Sequence, residues 1–130
     1  MRHFLTSFCF VIVLVCGSSC TTDNDDHIQD MSSLVIGVWE QDGFLIDSGH
    51  RLVFAPDYSG LKIFRTTNGE QVSSTLTGVL WSIDGNVITV SDEDSEVIGV
   101  YSLNAEGLLI SEDIDELPYS KISDSTLDYY

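Results

Sequence analysis

A chain of 130 residues has room for one domain with a hydrophobic core of its own. Its 21 Asp and Glu outnumber its 5 Lys and Arg, for a formal net charge of −16. Beyond Arg2 the only basic side chains are Arg51, Lys62, Arg65 and Lys121. They are too few to build the cationic face that a phosphate backbone or an anionic membrane surface requires, so the composition argues against both kinds of partner.

Residues 1–19 have the layout of an export signal. Arg2 brings a positive charge, residues 4–15 form an apolar core, and Gly17, Ser18 and Ser19 place small residues at a cleavage point. The apolar core is shorter than the roughly 20 residues that span a bilayer. Cys20 follows directly, and the pattern resembles the bacterial lipoprotein box. That resemblance implies an acylated Cys20 at the start of the mature chain, with lipid as the membrane anchor. An ordinary secreted protein cut near Ser19 is the alternative. The cysteine count fits acylation: Cys9 and Cys16 leave with the leader, and one unpaired thiol remains to be accounted for. Residues 20–33 carry Asp23, Asp25, Asp26 and Asp30 with little to bury, and read as an acidic flexible tether. Acidic residues behind an acylated Cys resemble the tag that sends lipoproteins of some outer-membrane bacteria to the cell exterior, although any acidic linker has the same composition. Ile28 and Met31 are placed to form a short turn against one end of the domain.

Residues 34–122 show no helical period of useful length. Short apolar runs alternate with turn residues, which is an all-β pattern. Strands are expected at 34–40, 44–46, 51–54, 61–66, 71–77, 79–83, 87–91, 97–103, 108–111 and 118–122, the shorter runs merging into about eight. Residues 61–66 alternate, with Leu61 and Ile63 on one face and Lys62 and Phe64 on the other. Asn68-Gly69 and Asp84-Gly85 are hairpin signals, and Gly78 reads as a bend. Consecutive antiparallel pairing on this scale favours a small up-and-down β-barrel, because closure removes exposed edges. A β-sandwich is the alternative. Strands of about five to seven residues leave an interior filled by side chains, with at most a small pocket at the open end. Trp39, Phe54, Phe64, Trp81 and Tyr101 are the candidate fillers. Rim loops near residues 68–69 and 92–96 are the places for a ligand to grip. Residues 123–130 read as a polar, frayed tail.

Gly37-Val38-Trp39 at the start of the first strand resembles the Gly-x-Trp signature of lipocalins, and the chain as a whole looks like the small lipocalin-like lipoproteins of outer-membrane bacteria. The resemblance implies a barrel floor in which Trp39 is the plug, Gly37 its neighbour, and Lys121 of the last strand the cation lying across the ring. It also implies a location at the outer membrane, lipid-anchored and facing the exterior.

Motifs for chemistry are sparse. Neither a Gly-x-Ser-x-Gly elbow nor a His-Glu-x-x-His pair occurs. His27 lies in the tether and His50 beside a turn. The acidic loops at 92–96 and 112–116 read as solvated charge; Asp92, Asp94 and Glu96 are calcium candidates by ligand type, without the spacing of an EF-hand. No cofactor and no catalysis are expected. The expected function is binding of a small apolar ligand or a partner protein at the cell surface. The alternative is an accessory subunit of an outer-membrane protein assembly that needs no cavity.

Overall fold

The computed structural model describes residues 30–130. Eight antiparallel strands follow one another around a closed barrel. They are β1 (Gly37–Gln41), β2 (Gly49–Phe54), β3 (Ser59–Asn68), β4 (Gln71–Asp84), β5 (Val87–Ser91), β6 (Val97–Leu103), β7 (Leu109–Ser111) and β8 (Tyr119–Ser123). β1 pairs with both β2 and β8, so the sheet closes on itself and is no two-sheet sandwich. The architecture is an up-and-down, lipocalin-like barrel. A short helix, α1 (Met31–Val35), precedes β1, and a single 3-10 turn spans Leu127–Tyr129.

Alternation along each strand decides what fills the barrel. Trp39 lies opposite Leu52, Trp81 opposite Val90, and Ile88 opposite Tyr101. With Phe54, Val79, Leu109, Tyr119 and Val35 these residues form one buried core. Phe54 meets Trp81 edge-on with ring centres 5.4 Å apart, and Tyr101 meets Tyr119 edge-on at 5.8 Å, the arrangement the ring quadrupoles favour. Each buried indole has a partner: Trp39 Nε1 donates to the Val35 carbonyl at 2.7 Å and Trp81 Nε1 to the Ala55 carbonyl at 3.1 Å.

Several sequence expectations are corrected. Residues 44–46 form no strand. They belong to a turn in which Phe44 is buried beneath the Arg51 guanidinium, 4.4 Å from the ring centre. β3 has 10 residues and β4 has 14, well beyond the expected five to seven, and Gly78 lies inside a continuous β4. The hairpins turn on Gly69-Glu70 and Gly85-Asn86, because Asn68 pairs with Gln71 and Asp84 with Val87. The positive φ falls on the glycine, +64° at Gly69 and +62° at Gly85, so the residue before it stays in the strand. The tether ends sooner than expected: Asp30 caps α1, accepting from the Ser32 amide at 3.3 Å and its hydroxyl at 2.5 Å. Nor is the tail frayed. β8 runs to Ser123, and Tyr129 Oη accepts from Arg51 Nη1 at 2.7 Å on the outside of the barrel.

Candidate functional site

The two ends of the barrel differ in chemistry. At the closed end, α1 sits against the core through Val35, which is fully buried. The last carbonyls of a helix lack intrahelical partners. Here the Leu34 carbonyl accepts from Lys121 Nζ at 2.9 Å, and the Val35 carbonyl from the Trp39 indole. Lys121 Nζ lies 5.6 Å from the centre of the Trp39 ring and 2.7 Å from Asp124, and this hydrogen-bonded cation holds the Asp124 carboxyl below the usual carboxylate range. Gly37 has φ +138°, and a Cβ there would run into the Ser123 carbonyl oxygen and the Lys121 side chain. Only glycine combines that backbone angle with that close approach. Gly37, Trp39 and Lys121 therefore come together, from β1 and β8, as the floor.

The open end is a mouth of about 500 Å³. β2 and β3 bring His50, Lys62 and Phe64 to it; β6 brings Ile98 and Gly99; the segment between β7 and β8 brings Glu112, Asp113, Asp115, Glu116 and Leu117. The volume exceeds the small pocket expected from the sequence, and the expected grip by loops 68–69 and 92–96 is replaced by the segment after β7. Phe64, expected among the fillers, instead stays 38% exposed at this mouth, with its ring centre 4.8 Å from that of His50. The long strand β3 turns its polar-looking face inward. Lys62 stands opposite Leu52 and Phe64 opposite His50, whereas Leu61 and Ile63 face outward.

Glu116 organises the bottom of the mouth. Its Oε1 accepts a short hydrogen bond from the Tyr119 hydroxyl and a longer one, 3.4 Å, from Tyr101. Lys62 Nζ is 3.9 Å from the same oxygen and 3.5 Å from Tyr101 Oη. The side-chain hydrogen bonds and the ion pair of Glu116 among the described residues all fall on Oε1, so Oε2 carries none of them. Burial, with the Glu116 charge beside it, pushes the Tyr101 hydroxyl well above its ordinary value. The Tyr119 hydroxyl is raised first by burial and then by its Tyr101 and Glu116 neighbours. Both phenols are therefore fixed donors at neutral pH. His50 moves the other way: burial lowers its pKa below 6.5 and Lys62 adds to this, against an opposing pull from Glu116. It is neutral at pH 7, and its backbone amide donates to Gln41 Oε1 at 2.8 Å, while Gln41 Nε2 donates to the Leu117 carbonyl at 3.0 Å. That Gln41 bridge pins the acidic segment to β1 and β2. Gly99 leaves the space in which the Tyr101 phenol lies; a Cβ there would be 2.7 Å from the hydroxyl oxygen.

The remaining sequence candidates do not join this site. Asp92, Asp94 and Glu96 share a loop, but the Asp92 carboxylate accepts from the amides of Asp94 and Glu96, both at 2.9 Å. Among the described residues no group of three or more His, Cys, Asp or Glu side chains is placed to hold a metal ion. Cys20 and the leader lie outside the described residues. The acidic run 112–116, read from the sequence as solvated charge, instead lines the mouth together with Leu117. Its signal, an acidic run that ends three residues before a Tyr in the closing strand, is indistinguishable from solvated loop charge until the barrel closes. Comparison of the chain with protein-family models, with curated proteins and with solved structures finds no match.

Proposed function

We propose that this protein is a non-catalytic, lipocalin-like binding module, held at the outer membrane by an acylated Cys20, which takes one small ligand in its mouth. The observation that carries the reading is the mouth itself: about 500 Å³ above a packed floor, within the range of ordinary ligand sites. Phe64, Ile98 and Leu117 offer it apolar contact, and Lys62 lines the mouth with its Nζ held only by long contacts, 3.9 Å to Glu116 and 3.5 Å to Tyr101 Oη. An apolar body against Phe64 and His50 leaves its polar head near Lys62 Nζ as donor and Glu116 Oε2 as acceptor. A hydroxyl satisfies both at once. A carboxylate is disfavoured, because Glu112, Asp113, Asp115 and Glu116 surround the single lysine. The ligand class is a small, neutral, hydroxyl-bearing molecule with an apolar body.

A matched pair of probes tests this. Naphthol is neutral at pH 7 and naphthoate is its anionic counterpart. Naphthol is expected to bind at least about tenfold more tightly, a difference of about 1.4 kcal/mol. Phe64→Ala should weaken naphthol by about the same factor, the order of loss expected for removing one aromatic wall. Equal binding of the two probes, or of naphthol to both proteins, would overturn the assignment of the site.

The accessory-subunit reading draws on a different feature, the outer surface. Leu76 is 61% exposed and Leu80 51% exposed on β4, a strand that reaches well past the end of its pairing with β5.

A further inference from the structure

β4 pairs with β3 over its whole outgoing length, from Gln71 to Leu80. Its pairing with β5 begins only at Leu80. Residues 71–79 therefore present one edge with no backbone partner among the described residues. Alternation in the antiparallel ladder says which groups face that edge. Asn68 and Gln71 flank a two-residue loop and form a hydrogen-bonded pair, so the odd-numbered residues of β4 direct their amides and carbonyls to β3. Val72, Ser74, Leu76 and Gly78 direct theirs outward.

Such an edge is ordinarily protected by lysine, proline, a bulge or brevity. This one has none of these. In a chain of net charge −16, residues 71–83 contain no charged side chain and no proline, and the β3–β4 ladder runs through them without a register shift. The outer face beside the edge is apolar through Val72, Leu76 and Leu80 of β4 and Leu61 and Ile63 of β3. Gly78 interrupts that face. Where its side chain would be, a cleft of about 460 Å³ opens between Leu61 and Leu80, lined also by Tyr130 and by Glu93, whose carboxylate lies 3.4 Å from the Cβ position.

We propose that β4 is the interface of a symmetric homodimer, in which residues 71–79 of two copies pair antiparallel about Thr75. Such an interface is isologous, each edge serving as the other's partner. That register sets Ser74 opposite Leu76 of the second copy and Val72 opposite Gly78. The outward-facing Val72 of each copy then enters the cleft left by Gly78 of the other. The nine-residue free edge is centred on Thr75, so this register pairs all of it. Sliding toward the hairpin tip instead brings the two Glu70 carboxylates together. The occupant is a second copy rather than a cationic strand from another protein, because residues 71–79 carry no charged side chain of their own, and the carboxylate beside them, Glu93 at Gly78, touches one end of the edge rather than running along it. Two acidic chains repel through the rest of their surfaces, so the dimer tightens as salt screens that repulsion. A cationic partner would be released by salt.

Thr75 opposes its own copy as a non-hydrogen-bonded pair, with Cα atoms about 4.5 Å apart, within disulfide range. In the full-length protein under mild oxidation, Thr75→Cys is expected to give a disulfide-linked dimer in excess of the wild-type background. Thr67→Cys, across the hairpin on β3 and away from the axis, is expected to give none in excess. Val72→Asp, at a position already 54% exposed, should fold with an unchanged melting temperature and lower the dimer fraction in native mass spectra at least tenfold. The wild-type dimer fraction should rise with salt. Failure of Thr75→Cys to cross-link, equal cross-linking of Thr67→Cys, or a Val72→Asp protein as dimeric as wild type would each overturn the proposal.

Discussion

Trp39→Ala is expected to destabilise the domain by about 3–5 kcal/mol, the usual range for truncating a buried aromatic. Trp39 is 2% exposed and belongs to the core. The substitution removes more than packing. It also removes the donor to the Val35 carbonyl and the ring beneath Lys121, so α1 loses one of its two side-chain ties to the barrel. Against the roughly 5–15 kcal/mol that holds a typical domain, the loss brings the protein close to unfolding at physiological temperature. Thermal unfolding followed by circular dichroism checks this. A melting temperature within a degree or two of wild type would contradict the role of Trp39 as the floor.

The second large effect concerns the proposed anchor. An acylated N-terminal Cys20 would carry at least two chains, and two chains hold a protein on a membrane where one does so only marginally; each buried methylene contributes about 0.8 kcal/mol. Cys20→Ser should therefore move nearly all of the protein from the detergent-rich to the aqueous phase in a phase-partition assay. Among the described residues no helix is long and apolar enough to cross a membrane, so the lipid is the retention this reading supplies. Equal partitioning of wild type and Cys20→Ser would contradict acylation.

Much of the barrel was legible in the sequence because turn chemistry and short apolar runs are local signals. β5 and β6 fall on their expected residues, and closure follows from consecutive pairing. What was not legible is which face of a strand points inward. Residues 61–64 alternate cleanly, yet the more apolar pair, Leu61 and Ile63, faces out while Lys62 lines the mouth. Alternation defines two faces, and only tertiary context chooses between them. Residues 71–77 were similarly opaque. Their β-branched and hydroxyl side chains promise a strand, but nothing local says that it outruns its neighbour β5. Glu116 was hidden for a third reason: the tyrosine hydroxyls that hold it come from β6 and β8 and meet it only after closure. The floor is a mixed case. Trp39 and Lys121 were paired through the resemblance to lipocalins, and the β1–β8 register places them opposite one another.

The central claim is that the mouth binds a small, neutral, hydroxyl-bearing ligand, and an amide correlation spectrum of the protein titrated with naphthol tests it most directly. The signals of Gly49, Gly99, Ser111 and Leu117, which surround the mouth, should move together along one saturable curve. The Trp39 indole signal, at the closed end, should stay in place. If saturating naphthol leaves the mouth signals unmoved, or moves only those of Leu61, Gly78 and Leu80 at the outer cleft, the ligand site is not in the barrel.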